Sequence, residues 1–372
     1  MTLVFTEEHE ALRSSVRAFL EDKSPEAEVR RLADTAEGYD PEMWERMSEM
    51  LGLPGLIVPE ELGGAGAGYA ELGIVLEEMG RSLLPAPFFS TVVLGVNALL
   101  LSGDGDAQKK YLPAIADGRL RATLAVAEGD DAWSEQAIRT TATRSGDGWV
   151  LDGAKDFVLD GATAELVLVA ARTEAGGIGL FAVDSGAAGL SRTPLETLDL
   201  TRRQARLAFE SAPATLVGDA GDGWRVAGEV FDRALVALAA EQVGGAQKVL
   251  EMAVGYARTR VQFGRQIGSF QAIKHRCADM LIDVERAKAA VYQALWAVDH
   301  EPAEVPAAAG LAKAFCSEAY FDAAASNIQV HGGIGYTWEH PAHLYFRRAK
   351  SSQLMLGTPS HHREALLEKL TA

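Results

Sequence analysis

Cysteines are scarce in this sequence, which has only two of them, Cys277 and Cys316, among 372 residues. Two distant cysteines cannot build the disulfide framework of a small secreted domain, and they lack the paired spacing of a zinc site. Long apolar runs are missing too, because charged residues or glycine interrupt each run before it reaches about 18 residues, the length that spans a bilayer. These absences favour a reducing compartment, and we expect a cytoplasmic location.

Basic charge is in deficit, with 35 lysines and arginines against 52 aspartates and glutamates and a net charge of −17. An acidic surface repels nucleic acids and anionic membranes, so we expect neither as a partner. The first residues, MTLVFTEEHE, lack the basic and apolar regions of a secretory signal. A hydrophobic content of 48% is ordinary for a globular protein.

Local patterns divide the chain into three predicted domains. Residues 1–118 have the periodicity of helices. Residues 119–221 contain short β-branched or apolar runs separated by glycine and aspartate, which is the pattern of an antiparallel sheet or barrel. Residues 222–372 are helical again. The order predicts an α+β fold with a helical N-terminal domain, a middle β domain and a helical C-terminal domain.

Capping residues place several helix ends. Thr6 begins a first helix, and Asp40-Pro41 begins another that Gly52 ends. Further helices are predicted over 70–80, 91–101, 223–260, 271–300 and 307–330, and from about Ser360 onward.

One carboxylate, that of Glu241, interrupts the apolar run ALAAEQVGGA in the longest predicted helix. It either faces water or lies in a dry pocket, where a carboxylate takes up protons more readily and can act as a general base. Gly244 and Gly245 follow, although each glycine costs a helix about 1 kcal/mol relative to alanine. They indicate close approach of a second helix or of a bulky ligand, and the residues alone favour helix packing.

Two other motifs fail as cofactor sites because of their spacing. The run GGAGAG at 63–68 has Tyr69 where a dinucleotide loop has its third glycine, and no βαβ pattern surrounds it, so we expect a surface turn. The eight histidines lack metal-ligand spacing, and we predict no metal site.

Two segments contain groups suited to an anionic cofactor. In RTRVQFGRQIGSFQ, residues 258–271, three arginines flank a Phe-Gly turn, and guanidinium groups bind phosphate oxygens in bidentate geometry. In NIQVHGGIGY, residues 327–336, the glycines can expose backbone N–H groups to an anion or a flat ring. Taken singly, each segment is also consistent with a helix–helix turn.

Together these segments resemble the acyl-CoA dehydrogenase family, whose members carry R-x-x-F-G-x-x-I-x-x-F-Q and, further along, Q-x-x-G-G-x-G-Y. PEELGGAG at 59–66, DGAKDFVLDGATAE at 152–165 and RRAKSSQLMLGT at 347–358 resemble further family segments. The resemblance covers nearly the whole chain. It implies the helix–sheet–helix order already predicted, with a C-terminal four-helix bundle.

The resemblance implies an FAD enzyme of lipid metabolism that converts an acyl-CoA thioester to the 2-enoyl-CoA. In relatives a carboxylate takes the α-proton, the β-hydride passes to the flavin, and a backbone N–H at the glutamate of Y-E-G-T binds the thioester oxygen. The implied assembly is a homotetramer or a heterotetramer with a related subunit, with an electron-transfer flavoprotein as electron acceptor. By matching, the FAD contacts are Arg260, Phe263, Gln271, Gln329, Gly332, Gly333, Phe157 and Thr358, and the substrate contacts are Leu356 and Ala234.

Three departures from the family pattern concern the base and the flavin strand. The Y-E-G-T glutamate is Leu356, and a second base position known in the family is Ala234. The family segment T-E-P-x-x-G-S-D appears only as VAEGDDAWSE, residues 126–135, and Leu159-Asp160 replaces Thr-Asn of W-I-T-N.

Glu241 lies seven residues after Ala234, so two helical turns put both on one face. We therefore predict Glu241 as a relocated catalytic base. Asp232 and Glu251 are further candidates, and a structural or solvated Glu241 is the alternative.

Three functions follow from these residues. The first is a homo-oligomeric acyl-CoA dehydrogenase with Glu241 as base. The second is a non-catalytic or half-site subunit of a heteromeric acyl-CoA dehydrogenase. The third is a flavin-dependent oxidase or monooxygenase of the same fold.

Overall fold

Helices, strands and helices again follow one another in the computed structural model, which describes residues 5–129 and 134–371, with side chains up to residue 368. The α-helices are α1 Glu7–Lys23, α2 Glu26–Ala33, α3 Pro41–Leu51, α4 Tyr69–Ser82, α5 Asn97–Leu101, α6 Gly105–Ala116, α7 Gly223–Thr259, α8 Gln271–His300, α9 Val305–His331, α10 Ala342–Leu354 and α11 Pro359–Thr371. The strands are β1 Ala122–Ala125, β2 Thr141–Ser145, β3 Gly148–Leu159, β4 Leu166–Thr173, β5 Ile178–Asp184, β6 Leu190–Pro194, β7 Gln204–Val217, β8 Val261–Gln262 and β9 Arg265–Gln266. The predicted α+β fold class is confirmed.

Capping residues begin the first helices where the sequence predicts. The Thr6 hydroxyl accepts a hydrogen bond from the backbone N–H of His9 at 3.3 Å and begins α1. The Asp40 carboxylate accepts from the backbone N–H of Glu42 at 2.9 Å and begins α3. Gly52 ends α3 with a φ of 62°, a left-handed conformation that glycine adopts without a Cβ clash.

The helical segments differ from the prediction in two ways. The single helix expected over 91–101 is a π-helix, Phe89–Val96, followed by the short α5. Helices α2 and α6 are absent from the predicted helices, and so is α10. Its buried face includes the polar side chains of Arg348 and Ser352, so its sequence lacks the apolar stripe that identifies an amphipathic helix.

The strands of the middle region form a closed barrel. Hydrogen-bonded pairs run in the order β4-β2-β3-β7-β5, and β5 pairs with β4 to close the circuit, while β1 joins β4 and β6 joins β7. The prediction of an antiparallel sheet is wrong for two pairings, because β1 and β2 each run parallel to β4. The long connections before β4 allow these parallel pairings. The barrel interior is apolar and includes Leu151, Val167, Val169, Phe181 and Leu207.

Packing groups the chain into two compact units. The first contains the described residues up to Arg30, Gly68–Leu84 and the residues from Asp232 onward; the second contains Arg31–Ala67 and Pro85–Phe231. The boundaries 1–118, 119–221 and 222–372 stay a prediction. None of the helices formed by the described residues combines the length and apolar character that crossing a bilayer requires.

Helices α4 and α7 of the first unit touch backbone to backbone. A Cβ on Gly80 would overlap the carbonyl oxygen of Glu241, and a Cβ on Gly244 would overlap the carbonyl oxygen of Glu77. Each helix therefore contributes one glycine to the crossing. Helix packing, the interpretation that the residues alone favour, accounts for Gly244.

Candidate functional site

The carboxylate of Glu241 lies inside the first unit and contacts an arginine. The residue is only 5% exposed, and its Oε1 accepts a hydrogen bond from Nη1 of Arg348, on α10, at 2.6 Å. Both side chains of this ion pair are almost fully buried. Removing two charges from water is costly, and the cost is offset only when the charges meet in good geometry. The pair therefore gives Glu241 a structural partner that the sequence analysis did not identify.

The two positions that the sequence matches to family base positions hold apolar side chains. Ala234 is fully buried on α7, and Leu356 lies in the turn between α10 and α11. Neither side chain can accept a proton, so neither position supplies a base.

The turn that contains Leu356 is strained and is held from two sides. Leu356 has a φ of 60°, and Gly357 has a φ of 96°, so two successive residues are left-handed. His362 donates from Nε2 to the carbonyl oxygen of Leu356 at 2.8 Å. Lys313, on α9, donates from Nζ to the carbonyl oxygen of Gly357 at 3.1 Å. Strain of this kind is often found at functional sites.

Two titratable groups around this turn have shifted proton affinities. Burial lowers the pKa of Lys313 to about 7, and burial lowers the pKa of His362 to about 4. Neither residue is among the site residues predicted from the sequence. A lysine inside the apolar run GLAKAFC was a usable signal for Lys313, because lysine is rarely buried without polar partners.

The segment with Arg260, Phe263 and Gln271 forms an exposed connector between α7 and α8. Strands β8 and β9 make a two-residue hairpin whose turn, Phe263-Gly264, has φ values of 53° and 76°. Phe263 at its tip is 90% exposed. The side chain of Arg260 is exposed, as is that of Gln271, which lies 3.4 Å from His275. The geometry presents all three predicted FAD contacts to the surroundings.

The predicted FAD contacts near residue 330 lie at the end of α9. Gln329 is exposed on the last turn of that helix. Gly332 has a φ of 66°, which ends the helix, and a 3-10 helix runs from Gly332 to Tyr336. Gly333 is exposed. Thr358, the remaining contact of this unit, is exposed and accepts a hydrogen bond from the backbone N–H of His361 at 3.3 Å.

The predicted flavin-facing strand is β3 of the second unit. Phe157 is 54% exposed and has a φ of 55°. Two residues earlier, Lys155 is fully buried, and its Nζ donates to Glu128 at 2.5 Å and to the carbonyl oxygen of Val126 at 3.0 Å. Burial lowers the pKa of Lys155 to about 8, and the Glu128 carboxylate opposes that shift. Four residues of the degraded segment VAEGDDAWSE, 130–133, lie outside the described residues.

We searched the described part of the chain for groups of side chains that could bind a metal ion. Its histidine, cysteine and acidic side chains form no cluster of three or more that could hold a metal ion. The run GGAGAG precedes α4 in a turn region, as predicted.

A helical region, a closed β barrel and a second helical region with exposed arginines are consistent with the class of flavin-binding acyl-CoA enzymes. Family models support that class: the acyl-CoA dehydrogenase N-terminal domain matches residues 6–119, the middle domain 123–211 and the C-terminal domain 221–371.

Individual proteins agree with the family models. Acyl-CoA dehydrogenase IpdE2 of Mycobacterium tuberculosis is 37% identical over 95% of this chain and 94% of its own length. A structure of the ChsE4-ChsE5 complex from Mycobacterium tuberculosis superposes with a TM-score of 0.89 at 30% identity, covering 100% of this chain and 99% of that one. A single-residue variant of the Tcur3481-Tcur3483 steroid ACAD has a TM-score of 0.88 at 32% identity, with 98% of each chain covered.

The chain therefore belongs to the acyl-CoA dehydrogenase family, whose members are FAD-dependent oxidoreductases acting on CH–CH bonds. The exposed groups of the first unit fit such a cofactor. Arg258 and Arg260 are exposed, and no carboxylate of the described residues forms an ion pair with either of them. Two unneutralised guanidinium groups suit the pyrophosphate of FAD.

Proposed function

We propose that this chain is one subunit of a heteromeric, FAD-dependent acyl-CoA dehydrogenase, and that its partner supplies the base. The observation that carries the proposal is the buried ion pair between Glu241 and Arg348. Ala234 and Leu356 have no proton acceptor, and the Glu241 oxygen already accepts a hydrogen bond from a cation. A base must contact the substrate α-proton directly, so a carboxylate engaged in this way is poorly suited to the task.

The two other acidic candidates are no better supported. Glu251 is an exposed residue that pairs with Arg81 at 2.5 Å. Although burial acts in the opposite direction, hydrogen bonds from Arg81 and Gln247 hold the pKa of Glu251 below its usual value. Asp232 is half-buried and begins the last segment of the first unit. It stays a candidate that a variant can test.

Exposed aromatic side chains support a partner. Phe263 is 90% exposed, Tyr336 77% and Trp338 64%. Aromatic side chains are enriched at protein–protein interfaces, so these three residues are candidates for burial by a partner. The ChsE4-ChsE5 structure is a complex of two components. Its similarity to this chain supports a heteromeric assembly.

In this proposal the chain's own residues bind and orient. The exposed arginines would hold phosphate groups of FAD, which supplies the hydride acceptor when bound. The backbone N–H of Leu356 would bind the thioester oxygen and stabilise the negative charge that develops there. An electron-transfer flavoprotein would accept the electrons. The similarity to the steroid ACAD structure makes steroid-derived thioesters a class of substrate to test.

A second candidate is the homo-oligomeric dehydrogenase with Glu241 as base. The observation that favours it is the burial of Glu241 on the helix that carries Ala234, two turns away. It requires Arg348 to release the carboxylate when substrate binds.

The experiment compares the chain alone with the chain in a mixed assembly. The purified chain, with FAD added, is titrated under nitrogen with saturated, branched and steroid-derived acyl-CoA thioesters, and flavin bleaching is recorded. The titration is repeated after co-expression with an acyl-CoA dehydrogenase subunit that retains a base glutamate, with Glu241→Gln and Asp232→Asn variants in parallel.

The heteromeric proposal expects no bleaching by the chain alone and bleaching by the mixed assembly, in which Glu241→Gln stays active. Bleaching by the chain alone that Glu241→Gln abolishes would establish the second candidate instead. Rapid oxygen consumption in a separate assay with substrate in air would indicate the oxidase or monooxygenase function.

A further inference from the structure

A buried lysine without a carboxylate partner lies in the first unit. Lys313, in the middle of α9, is fully buried, and none of the described acidic side chains forms an ion pair with it. Burying a cation is costly unless other groups replace its hydration. The groups that surround Lys313 therefore indicate why the residue is there.

Three acceptors surround the Lys313 ammonium group. Nζ donates to the Ser317 hydroxyl at 2.9 Å, to the carbonyl oxygen of Gln353 at 3.1 Å and to that of Gly357 at 3.1 Å. A protonated lysine has three N–H donors, so the donors and acceptors match in number. Two of the three acceptors are backbone groups of one short segment, residues 353–358, which we call the Leu356 turn.

The Leu356 turn needs external support. Leu356 and Gly357 both have a left-handed backbone conformation. This conformation is unfavourable for Leu356, because its Cβ comes too close to the following carbonyl oxygen. Lys313 holds the carbonyl groups on both sides of Leu356, and His362 holds the carbonyl of Leu356 itself. Because each peptide unit is planar, fixing these carbonyl groups fixes the N–H groups of Leu354, Gly357 and Thr358. The Met355–Leu356 peptide unit, which carries the Leu356 N–H, lies between the units held in this way.

The support is anchored in the helical core. Gln242, next to Glu241 on α7, donates from Nε2 to the Ser317 hydroxyl at 3.0 Å. Ser317 and Lys313 are one turn apart on α9. A hydrogen-bonded chain therefore links α7, through α9, to the Leu356 turn.

We propose that Lys313 is a positioning residue that holds the Leu356 turn so that the backbone N–H of Leu356 points at the thioester oxygen. This inference rests on the proposed function, which assigns that N–H to the substrate. Lys313 touches neither substrate nor cofactor in this role. It acts through the backbone of the Leu356 turn, since its donors are all directed to Ser317, Gln353 and Gly357.

The test replaces Lys313 by methionine, which has a similar length and no donor. The matched control is Lys350→Met, because Lys350 lies on α10 close to the same segment but donates to the Gln353 side chain rather than to a backbone carbonyl. Both variants are prepared in the FAD-loaded mixed assembly. Hydrogen–deuterium exchange over residues 351–362 and steady-state kinetics per bound flavin are measured below pH 7.

We expect Lys313→Met to accelerate amide exchange in the Leu356 turn at least about 10-fold while α7 exchanges as in the wild type. We expect kcat per bound flavin to fall about 10- to 100-fold with little change in KM. A misdirected N–H donor stabilises the transition state less but leaves the binding of the ground-state substrate nearly unchanged. Lys350→Met should change neither the amide exchange of the Leu356 turn nor kcat per bound flavin. Should Lys313→Met not fold, Lys313→Gln, which keeps two donors, is expected to give smaller shifts in the same direction.

Unchanged exchange in the Leu356 turn would overturn the proposal, and so would faster exchange with an unaltered kcat per flavin. A loss of bound flavin with normal turnover by the remainder would mean that Lys313 only supports folding. If no thioester bleaches the wild-type assembly, the proposed function fails, whereas the exchange measurement still decides whether Lys313 holds the turn.

Discussion

Arg348 donates a hydrogen bond to Glu241 across 2.6 Å, in an ion pair whose two side chains are 4% and 6% exposed. The relationship joins α7 to α10 inside the first unit. Arg348 belongs to RRAKSSQLMLGT, one of the segments that resemble the family. The acid on α7 thus faces a cation that the same segment as Leu356 supplies.

The first prediction concerns this ion pair. Glu241→Gln keeps the shape of the side chain and removes the counter-charge of Arg348. We expect a loss of about 3 kcal/mol in the free energy of unfolding, because breaking a buried pair leaves a charge poorly compensated. Urea unfolding of the chain measures the loss.

The paired control is Arg348→Met, alone and together with Glu241→Gln. The double variant should be more stable than the sum of the single losses predicts, since it removes both charges. Unchanged stability in Glu241→Gln together with a loss of flavin bleaching would instead assign the residue to catalysis.

The second prediction concerns the glycines of α7. Gly244→Ala should destabilise the chain by about 1–3 kcal/mol or more, because its Cβ would overlap the backbone of α4 at Glu77. Gly245→Ala should also destabilise, because its Cβ would lie 2.5 Å from the ring of Tyr320. Thermal unfolding measures both.

Gly255, on the same helix, is the matched control, since nothing lies within 4 Å of its added Cβ. Gly255→Ala should stabilise the chain by about 0.5–1 kcal/mol through helix propensity. Equal changes in stability for Gly244→Ala and Gly255→Ala would contradict the close contact between Gly244 and the α4 backbone.

The third prediction concerns pH. Burial lowers the pKa of Lys313 to about 7 from 10.5, so between these values the unfolded chain binds a proton that the folded chain does not. The free energy of unfolding should therefore rise with pH across this window, by up to about 1.4 kcal/mol per pH unit from this residue. The other titratable groups whose charges act on Lys313 are Cys316, on α9, and His362, on α11.

The measurement is urea unfolding of the wild type and of Lys313→Met at several pH values between about 7 and about 10. The free energy of unfolding of the wild type should rise steadily relative to that of Lys313→Met as the pH rises. A difference that does not depend on pH would show that the folded lysine titrates normally.

The fourth prediction concerns the hairpin tip. Phe263→Ser should leave the stability of the isolated chain within about 0.5 kcal/mol of the wild type, because the side chain is 90% exposed. It should weaken association with the partner or with FAD at least about 10-fold, as expected for an aromatic anchor that becomes buried on binding. Sedimentation and flavin titration measure the two effects.

Met50, an exposed apolar residue of the second unit, provides the comparison. Met50→Ser should change neither association nor flavin binding. If Phe263→Ser and Met50→Ser behaved alike, the hairpin would have no specific role in binding the partner or FAD.

Patterns local in the chain predicted much of the fold. The caps at Thr6 and Asp40 and the apolar stripes of the long helices involve neighbours three or four residues apart, which a sequence displays directly. The segments around Arg260 and Gln329 likewise contain a hairpin turn and a helix end whose glycines are visible in the sequence. Helix α10 escaped prediction because polar residues occupy its buried face.

By itself the sequence determined the α+β order, the family and the apolar identity of the predicted base positions Leu356 and Ala234, since these depend on residue identity and local spacing. Only the tertiary structure decided that Glu241 meets Arg348, that Gly244 meets the α4 backbone and that Lys313 holds the Leu356 turn. Each of those contacts joins residues far apart in the chain. Their geometry exists only once helices pack, because packing brings the partners together and excludes the water that would otherwise solvate them.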